Sequence, residues 1–61
     1  MRILVKNLRN KLELTQKEFS EKSKISHRYL QNIETGDRIP SLSTLYKIAK
    51  TFNVKLDDLV D

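Results

Sequence analysis

Two closely spaced helix-start signals constrain the fold of this chain more than any other feature of its sequence. The segment from Thr15 to Glu18 has the form of a capping box, in which the Thr15 hydroxyl accepts from the Glu18 amide while the Glu18 carboxylate reaches back to Thr15. Ser26 is a second candidate N-cap, and Gly36 suits the left-handed residue that ends a helix. The pattern predicts a helix from Gln16 to about Ser23, a tight turn, and a second helix that Ser26 starts and that runs to Glu34.

The other segments have helical periodicity as well, so the chain is predicted to be all-α. An apolar stripe in the first segment contains Met1, Val5, Leu8 and Leu12. A second stripe follows Pro40-Ser41 and contains Leu42, Leu45, Ile48, Ala49 and Phe52. A short last helix, from Leu56 to Val60, brings the predicted total to five. No linker is visible in a chain with one glycine and one proline, so residues 1–61 are predicted to form a single domain.

Length and composition exclude several classes of function. Sixty-one residues can bury one compact core, but not a core plus a walled substrate cavity. The absence of cysteine excludes a disulfide framework and a thiolate metal site. The longest apolar run, Ile3-Leu4-Val5, is far shorter than the roughly 20 residues that span a bilayer. We therefore expect a soluble, cytoplasmic protein without a membrane partner.

Catalytic chemistry has no support in the residues. His27 is the single histidine, and the adjacent carboxylates Asp57 and Asp58 point in different directions on a helix. One glycine cannot form a glycine-rich phosphate loop. The sequence predicts no enzyme, no metal site, no cofactor and no small-molecule substrate.

The distribution of charge indicates an anionic partner. Twelve basic residues against eight acidic ones give a net charge of +4. Residues 1–50 hold 11 of the bases and five of the acids, which leaves this part of the chain at +6. Such a balance favours nucleic acid first and an anionic membrane second. The alternative explanation is that a soluble protein keeps its net charge away from zero.

The segment from Thr15 to Thr35 has the size of a helix-turn-helix, whose second helix lies in the major groove of DNA. Several motifs around it resemble, in order and spacing, the Xre/Cro-type family of phage-repressor-like helix-turn-helix proteins. The motifs are Leu14-Thr15-Gln16-Lys17-Glu18-Phe19, Ile25-Ser26, Ile33-Glu34-Thr35-Gly36, Pro40-Ser41-Leu42, Leu45 with Ala49, and Val54-Lys55-Leu56-Asp57-Asp58-Leu59. The resemblance covers the chain from about Val5 to Leu59.

The resemblance implies a compact five-helix DNA-binding domain that acts as a sequence-specific transcriptional regulator, a repressor that occludes a promoter. Two alternatives stay open: an antitoxin-like or accessory protein whose main partner is another protein, and an interaction module that has kept the fold and lost DNA binding. Three residues depart from the family pattern: Ser20 replaces the usual alanine, Ser23 an apolar residue and Lys24 the usual turn glycine. The Ser20 hydroxyl must then bond to its own helix or cost stability.

The resemblance also implies that the helix starting near His27 is the recognition helix. Its predicted base contacts are His27, Arg28, Gln31 and Asn32, which share one face at the helical period. Arg28 can bind O6 and N7 of guanine, whereas Asn32 or Gln31 can pair with adenine. The predicted DNA-backbone contacts are Gln16, Tyr29, Thr35, Arg38, Ser41 and Ser43. The resemblance implies that Gln16 also braces the first residue of the recognition helix. The alternatives are an ordinary solvated helix face for the first group and, for Tyr29, packing at the rim of the core.

Two further sets of residues have structural roles in the interpretation. At matching positions the family has an arginine and a glutamate that pair, which implies an ion pair between Arg9 and Glu34. The alternative for Arg9 is a contact with a DNA phosphate. Five apolar residues are left without partners once the core is filled: Ile3, Leu4, Ile39, Tyr46 and Val60. A symmetric homodimer is therefore predicted through the C-terminal helix and the residues before the fourth helix, including Ile39, Leu56 and Val60. The alternative is a monomer with scattered apolar residues on its surface.

Overall fold

The computed structural model describes residues 2–61 and has an all-α architecture. Four α-helices follow one another along the chain, α1 (Val5–Lys11), α2 (Gln16–Ser23), α3 (His27–Thr35) and α4 (Leu42–Thr51), and a 3-10 turn spans Leu56–Leu59. The prediction of five helices is therefore wrong in its last member. The segment from Leu56 is a single 3-10 turn, and Val60 beyond it is extended.

Side-chain caps place the starts of three helices. In the Thr15 capping box, the Glu18 amide donates to Thr15 Oγ1 at 3.1 Å and the Thr15 amide donates to Glu18 Oε1 at 2.9 Å. Ser26 Oγ accepts from the Tyr29 amide at 3.0 Å at the start of α3. Ser41 Oγ accepts from the Thr44 amide at 3.2 Å at the start of α4. The predicted caps at Thr15 and Ser26 are confirmed, and the boundaries of α2 and α3 follow from them.

The two ends of the described chain pair with each other. The Arg2 amide donates to the Asp61 carbonyl at 3.1 Å, the Asp61 amide donates to the Arg2 carbonyl at 2.9 Å, and Ile3 and Val60 form an antiparallel bridge. The prediction that the first apolar stripe is helical from its start is therefore wrong for residues 2–4, because their backbone groups bond to the other end of the chain. Met1, the first residue of that stripe, lies outside the described residues.

The core is built from one face of each helix and from the 3-10 turn. Its buried members are Val5, Leu8, Phe19, Leu30, Ile33, Leu45, Ile48, Ala49 and Leu59. Phe19 stacks on Phe52 with ring centroids 4.6 Å apart. Two residues of the predicted stripes do not belong to the core, since Leu12 is 40% and Leu42 64% exposed. Leu12 follows the last residue of α1 and Leu42 is the first residue of α4, so both lie beyond the edge of the packed faces.

Two buried serines bond to their own helix. Ser20 Oγ donates to the Lys17 carbonyl at 2.9 Å, which confirms the expectation for this departure from the family pattern. Ser23 Oγ donates to the Phe19 carbonyl at 2.7 Å. Because both hydroxyls have partners, the crowded contact between α2 and α3 contains no unsatisfied side-chain group among the described residues.

An ion pair between Arg9 and Glu34 joins α1 to α3. Arg9 Nε donates to Glu34 Oε2 at 2.7 Å and Arg9 Nη2 donates to Glu34 Oε1 at 3.0 Å, while Arg9 Nη1 bonds the Leu14 carbonyl at 2.9 Å. The two side chains are 14% and 4% exposed, respectively. Burial, the largest influence on the Glu34 carboxyl, raises its pKa, but the hydrogen bonds from Arg9 and Gln16 and the charge of Arg9 together bring the pKa of Glu34 below its ordinary value. The pair fixes the orientation of α3 relative to the first helix.

Lys24 is in the left-handed region, with φ of 59°, at the turn between α2 and α3. A side chain costs energy in this conformation, whereas glycine adopts it freely. We predict that Lys24→Gly raises the free energy of unfolding by about 1 kcal/mol. Asn53→Gly, at φ of 54°, is expected to gain less, because asparagine tolerates this region. Urea denaturation of both variants tests this, and an equal or larger gain at Asn53 would contradict it.

The Arg9–Glu34 pair also predicts how stability depends on pH. Glu34→Gln is expected to lower the free energy of unfolding at pH 7 by about 2 kcal/mol, because it leaves the Arg9 charge largely buried and uncompensated. Since the folded pKa of Glu34 lies below its unfolded value of about 4.3, the stabilisation is complete above that pH and is lost as the pH falls through the folded pKa.

The measurement is urea denaturation of the wild type and Glu34→Gln between pH 3 and pH 7. The difference between them should be constant above about pH 5 and should shrink below about pH 4. Glu21→Gln, at an exposed position on α2, is the matched control and should change stability by less than about 0.5 kcal/mol. A difference that does not vary with pH would show that the ionised Glu34 is not what stabilises the fold.

Candidate nucleic-acid interface

The third helix has one face in the core and one in solvent. Leu30 is fully buried and Ile33 is 5% exposed, and these two residues hold α3 against the rest of the molecule. The opposite face presents His27, Arg28 and Gln31, which are exposed, and Asn32, which is half-buried. These four residues are called the recognition face below. The core therefore holds the inner side of α3 in place, and the outer side of the helix is free to contact a partner.

Two arginines near this face form no ion pair with the carboxylates of the described residues. Arg28 lies on α3 and Arg38 in the loop after it, and both are exposed. Among residues 2–61, the arginines and lysines with a carboxylate oxygen within 4.0 Å are Arg2 and Arg9. Arg28 and Arg38 therefore form no ion pair within the described residues, and their guanidinium groups can bind an anionic partner.

The start of α2 lies beside the start of α3. Gln16, the first residue of α2, donates from Nε2 to Glu34 Oε1 at 3.0 Å. Its Oε1 is 3.3 Å from Nε2 of His27. Both polar ends of this side chain thus have partners within the chain, so the groups of Gln16 left for a phosphate are the second hydrogen of its NH2 group and the backbone amide at the start of the helix. The contact of Gln16 with Glu34 has no signal in the sequence, because the two residues lie on different helices.

The end of α3 is closed by its own loop. Gly36 has φ of 88°, which the sequence predicted for this position. Thr35 Oγ1 donates to the Asn32 carbonyl at 3.2 Å and lies 3.0 Å from Asp37 Oδ2, and the Arg38 amide donates to the Asn32 carbonyl at 3.1 Å. These bonds keep the backbone of Arg38 close to the recognition face. The hydroxyl hydrogen of Thr35 is used within the loop.

The remaining candidate backbone contacts lie at two places. Ser41 and Ser43 stand at the start of α4 with their hydroxyl oxygens 3.0 Å apart, and the Ser41 oxygen also caps the helix. Tyr29 is half-buried and packs against the core, so only its outer part is free. Of the three side chains, Ser43 is the one that neither caps a helix nor packs against the core.

The residues predicted at a dimer interface are not equally free. Ile39 is 78% exposed, but Leu56 and Val60 are half-buried against the core of the same chain, and Val60 pairs with Ile3. Two other apolar residues are exposed, Leu42 at 64% and Tyr46 at 63%. The sequence leaves Tyr46 without a partner in the core, whereas it places Leu42 in the second apolar stripe. Leu42 and Tyr46 are four residues apart and share one side of α4, and Ile39 lies in the segment just before that helix. These three residues are called the apolar patch below.

Within residues 2–61 no three histidine, cysteine, aspartate or glutamate side chains are grouped so that they can hold a metal ion. No helix in that part of the chain has the length and apolar character needed to cross a bilayer.

Comparison with known proteins identifies the family. The helix-turn-helix family model matches residues 5–59. An uncharacterised HTH-type transcriptional regulator of Archaeoglobus fulgidus is 36% identical over 59 residues, which are 97% of this chain and 83% of the archaeal protein. The HTH-type transcriptional regulator ImmR of Bacillus subtilis is 39% identical over 56 residues, which are 92% of this chain and 44% of that protein.

A phage protein is similar to the same region. The immunity repressor protein of Bacillus phage phi105 is 36% identical over 56 residues, covering 92% of this chain and 39% of the repressor. The match of the family model spans all four helices and the 3-10 turn. The chain belongs to the helix-turn-helix family, and within it to the Xre/Cro type.

Proposed function

We propose that this protein is a sequence-specific double-stranded DNA-binding transcriptional regulator, and that it acts as a non-enzymatic repressor. The observation that carries the proposal is the exposed Arg28 on the recognition face, with no carboxylate near it, on a helix whose other side is anchored in the core. A helix presented in this way fits the major groove, where arginine binds guanine through two hydrogen bonds. The names of the phage immunity repressor and of ImmR support the assignment.

The residues divide into base contacts and backbone contacts. His27, Arg28, Gln31 and Asn32 face the bases. The backbone contacts come from Arg38, Ser43, Thr35 and Tyr29, together with the starts of α2 and α4 at Gln16 and Ser41. Free amides at a helix start point toward a phosphate, and phosphate contacts set the register of the protein on the duplex. Repression then follows from occlusion, because a protein bound across a promoter excludes the polymerase.

The active form is a symmetric homodimer that binds a two-fold operator. A single recognition helix gives limited affinity, and a two-fold axis places two such helices about 34 Å apart on the same side of the duplex. The apolar patch supports this arrangement, because Ile39, Leu42 and Tyr46 are large, apolar and more than 60% exposed. Ile39 remains a proposed interface residue. Leu56 and Val60 are half-buried in their own chain and can contribute less area, so we place the centre of the interface at the start of α4.

Specificity and affinity are expected to separate between the two free arginines. Arg28→Ala should lose preference at one base pair of each half-site, worth about 1–3 kcal/mol of discrimination, and should keep binding to random DNA. Arg38→Ala should weaken binding to operator and random DNA by similar factors and reduce the salt slope by about one. The measurement is competition titration against an operator selected from a random pool and a scrambled duplex, at two salt concentrations.

Two outcomes would contradict these roles. If Arg28→Ala leaves the ratio of specific to random binding unchanged, Arg28 does not contact a base. If Arg38→Ala alone removes specificity, the two arginines have the opposite roles. Lys50→Ala, an exposed cation on α4, is a charge-matched control that should keep the specificity ratio.

The homodimer is tested by placing a charge on the apolar patch. Tyr46→Glu should weaken self-association at least tenfold, which is about 1.4 kcal/mol, because a carboxylate would have to lose its water in the interface. Lys47→Glu, at the next and also exposed position of α4, should leave the association constant within a factor of about three. Sedimentation equilibrium gives both values. A 7.2 kDa particle at high micromolar concentration, with and without operator DNA, would exclude the dimer.

A further inference from the structure

We propose that Glu34, acting through Gln16, determines which ring nitrogen of His27 carries the proton, and thereby which class of base His27 recognises. This inference rests on the proposed DNA-binding function and goes beyond it. Glu34 lies in the interior, where it cannot touch DNA, since its side chain is 4% exposed. It is a positioning residue for a contact that another side chain makes.

The chemistry of the chain of bonds allows one arrangement. An ionised carboxylate only accepts hydrogen bonds, so the Gln16 group that lies 3.0 Å from Glu34 Oε1 must be the NH2 of the amide. The carbonyl oxygen of Gln16 must then face His27. That oxygen also only accepts, so Nε2 of His27, at 3.3 Å, must carry the proton. Each bond thus dictates the direction of the next.

Glu34 can determine which groups donate and which accept along this chain of bonds, because its carboxylate is ionised and held in one orientation. Arg9 donates to both of its oxygens, at 2.7 Å and 3.0 Å, and these bonds hold the carboxylate in one orientation. The same bonds, with the bond from Gln16, keep the pKa of Glu34 below its ordinary value against the effect of burial, so the group is ionised at neutral pH. A carboxylate that is held and ionised cannot exchange its accepting role for a donating one.

The consequence for DNA concerns the other ring nitrogen. A neutral imidazole has one N–H, so with the proton on Nε2 the Nδ1 atom of His27 has a free lone pair. In the major groove this atom can accept from the amino group of adenine or cytosine, but it cannot donate to the guanine acceptors O6 and N7. We therefore expect the base pair facing His27 to present an amino group to it.

The first test uses the free protein. Because His27 is the single histidine, a long-range proton–nitrogen NMR spectrum at pH 8 shows one imidazole and reports which nitrogen is protonated. The wild type should be protonated on Nε2. Gln16→Met, which removes both bonds, and Glu34→Gln, whose amide can present NH2 to Gln16, should shift the ratio of the two tautomers toward Nδ1–H by about threefold or more. Asn10→Met, at an exposed amide on α1, is the matched control and should leave the ratio unchanged.

A second measurement needs no variant of Glu34, so it remains informative if Glu34→Gln is too unstable to study. The side-chain NH2 of Gln16 should exchange with solvent at least threefold more slowly than that of Gln31, which is exposed. Equal exchange rates for the two glutamines, or the wild-type tautomer ratio in Gln16→Met, would overturn the proposal.

The DNA experiment then separates this inference from the proposed function. Selection from a random duplex pool should give adenine or cytosine at one position with the wild type, and Gln16→Met should relax that position while the preference that depends on Arg28 stays. If the tautomer shifts as expected but that position does not change, His27 makes no such contact and the inference about the base is wrong. If no duplex is preferred by the wild type, the proposed function itself fails, whatever the NMR result.

Discussion

The hydrogen-bonded pair of Arg9 and Glu34 is the contact on which the geometry of the interface depends. It joins the first helix to the end of the third, and the third bond of Arg9 reaches the loop before α2. A buried ion pair is stable only when its geometry is good and its remaining groups have partners. Here the guanidinium meets both carboxylate oxygens, and Gln16 satisfies a further site on one of them. The same contact therefore orients the recognition helix and keeps two charges in a small interior.

The small core explains why such a contact is needed. A chain of this size buries few large side chains, so apolar packing alone leaves the orientation of α3 weakly determined. Leu30 and Ile33 hold the inner side of the helix, but apolar contacts do not specify direction as hydrogen bonds do. Adding directed bonds at the two ends of α3, from the Ser26 cap and from the Arg9–Glu34 pair, fixes the helix without enlarging the core.

The parts of the structure that could be predicted from the sequence are those with local causes. The caps at Thr15 and Ser26 and the left-handed Gly36 depend on residues within one turn, so the boundaries of α2 and the start of α3 could be assigned correctly, and the end of α3 to within one residue. The start of α1 could not, because Ile3 pairs with Val60, from the far end of the chain. The exposed position of Leu42 depends on where the packed face ends, which periodicity does not show.

The candidate site divides in the same way. The spacing of His27, Arg28, Gln31 and Asn32 predicts a common face, and the family resemblance predicts that Arg9 and Glu34 pair, as they do in the structure. The resemblance implies a contact between Gln16 and His27, but nothing local indicates that Gln16 also bonds Glu34, or that Leu42 is exposed as Ile39 and Tyr46 are. Those relations arise from the packing of helices that are distant in sequence.

The pairing between the two ends has a consequence for the order in which the molecule assembles. The two most extensive helical interfaces, α2 with α3 and α4 with the 3-10 turn, join segments that follow one another in the chain. Such contacts form fast, because little chain entropy is lost before each of them forms. The bridge between Ile3 and Val60 is different, since it closes a loop that contains almost the whole chain. Closing that loop costs the most entropy if it happens first and much less once the helices have shortened the distance. We therefore expect the ends to meet last during folding, and we expect the bridge to open and close while the recognition helix stays folded.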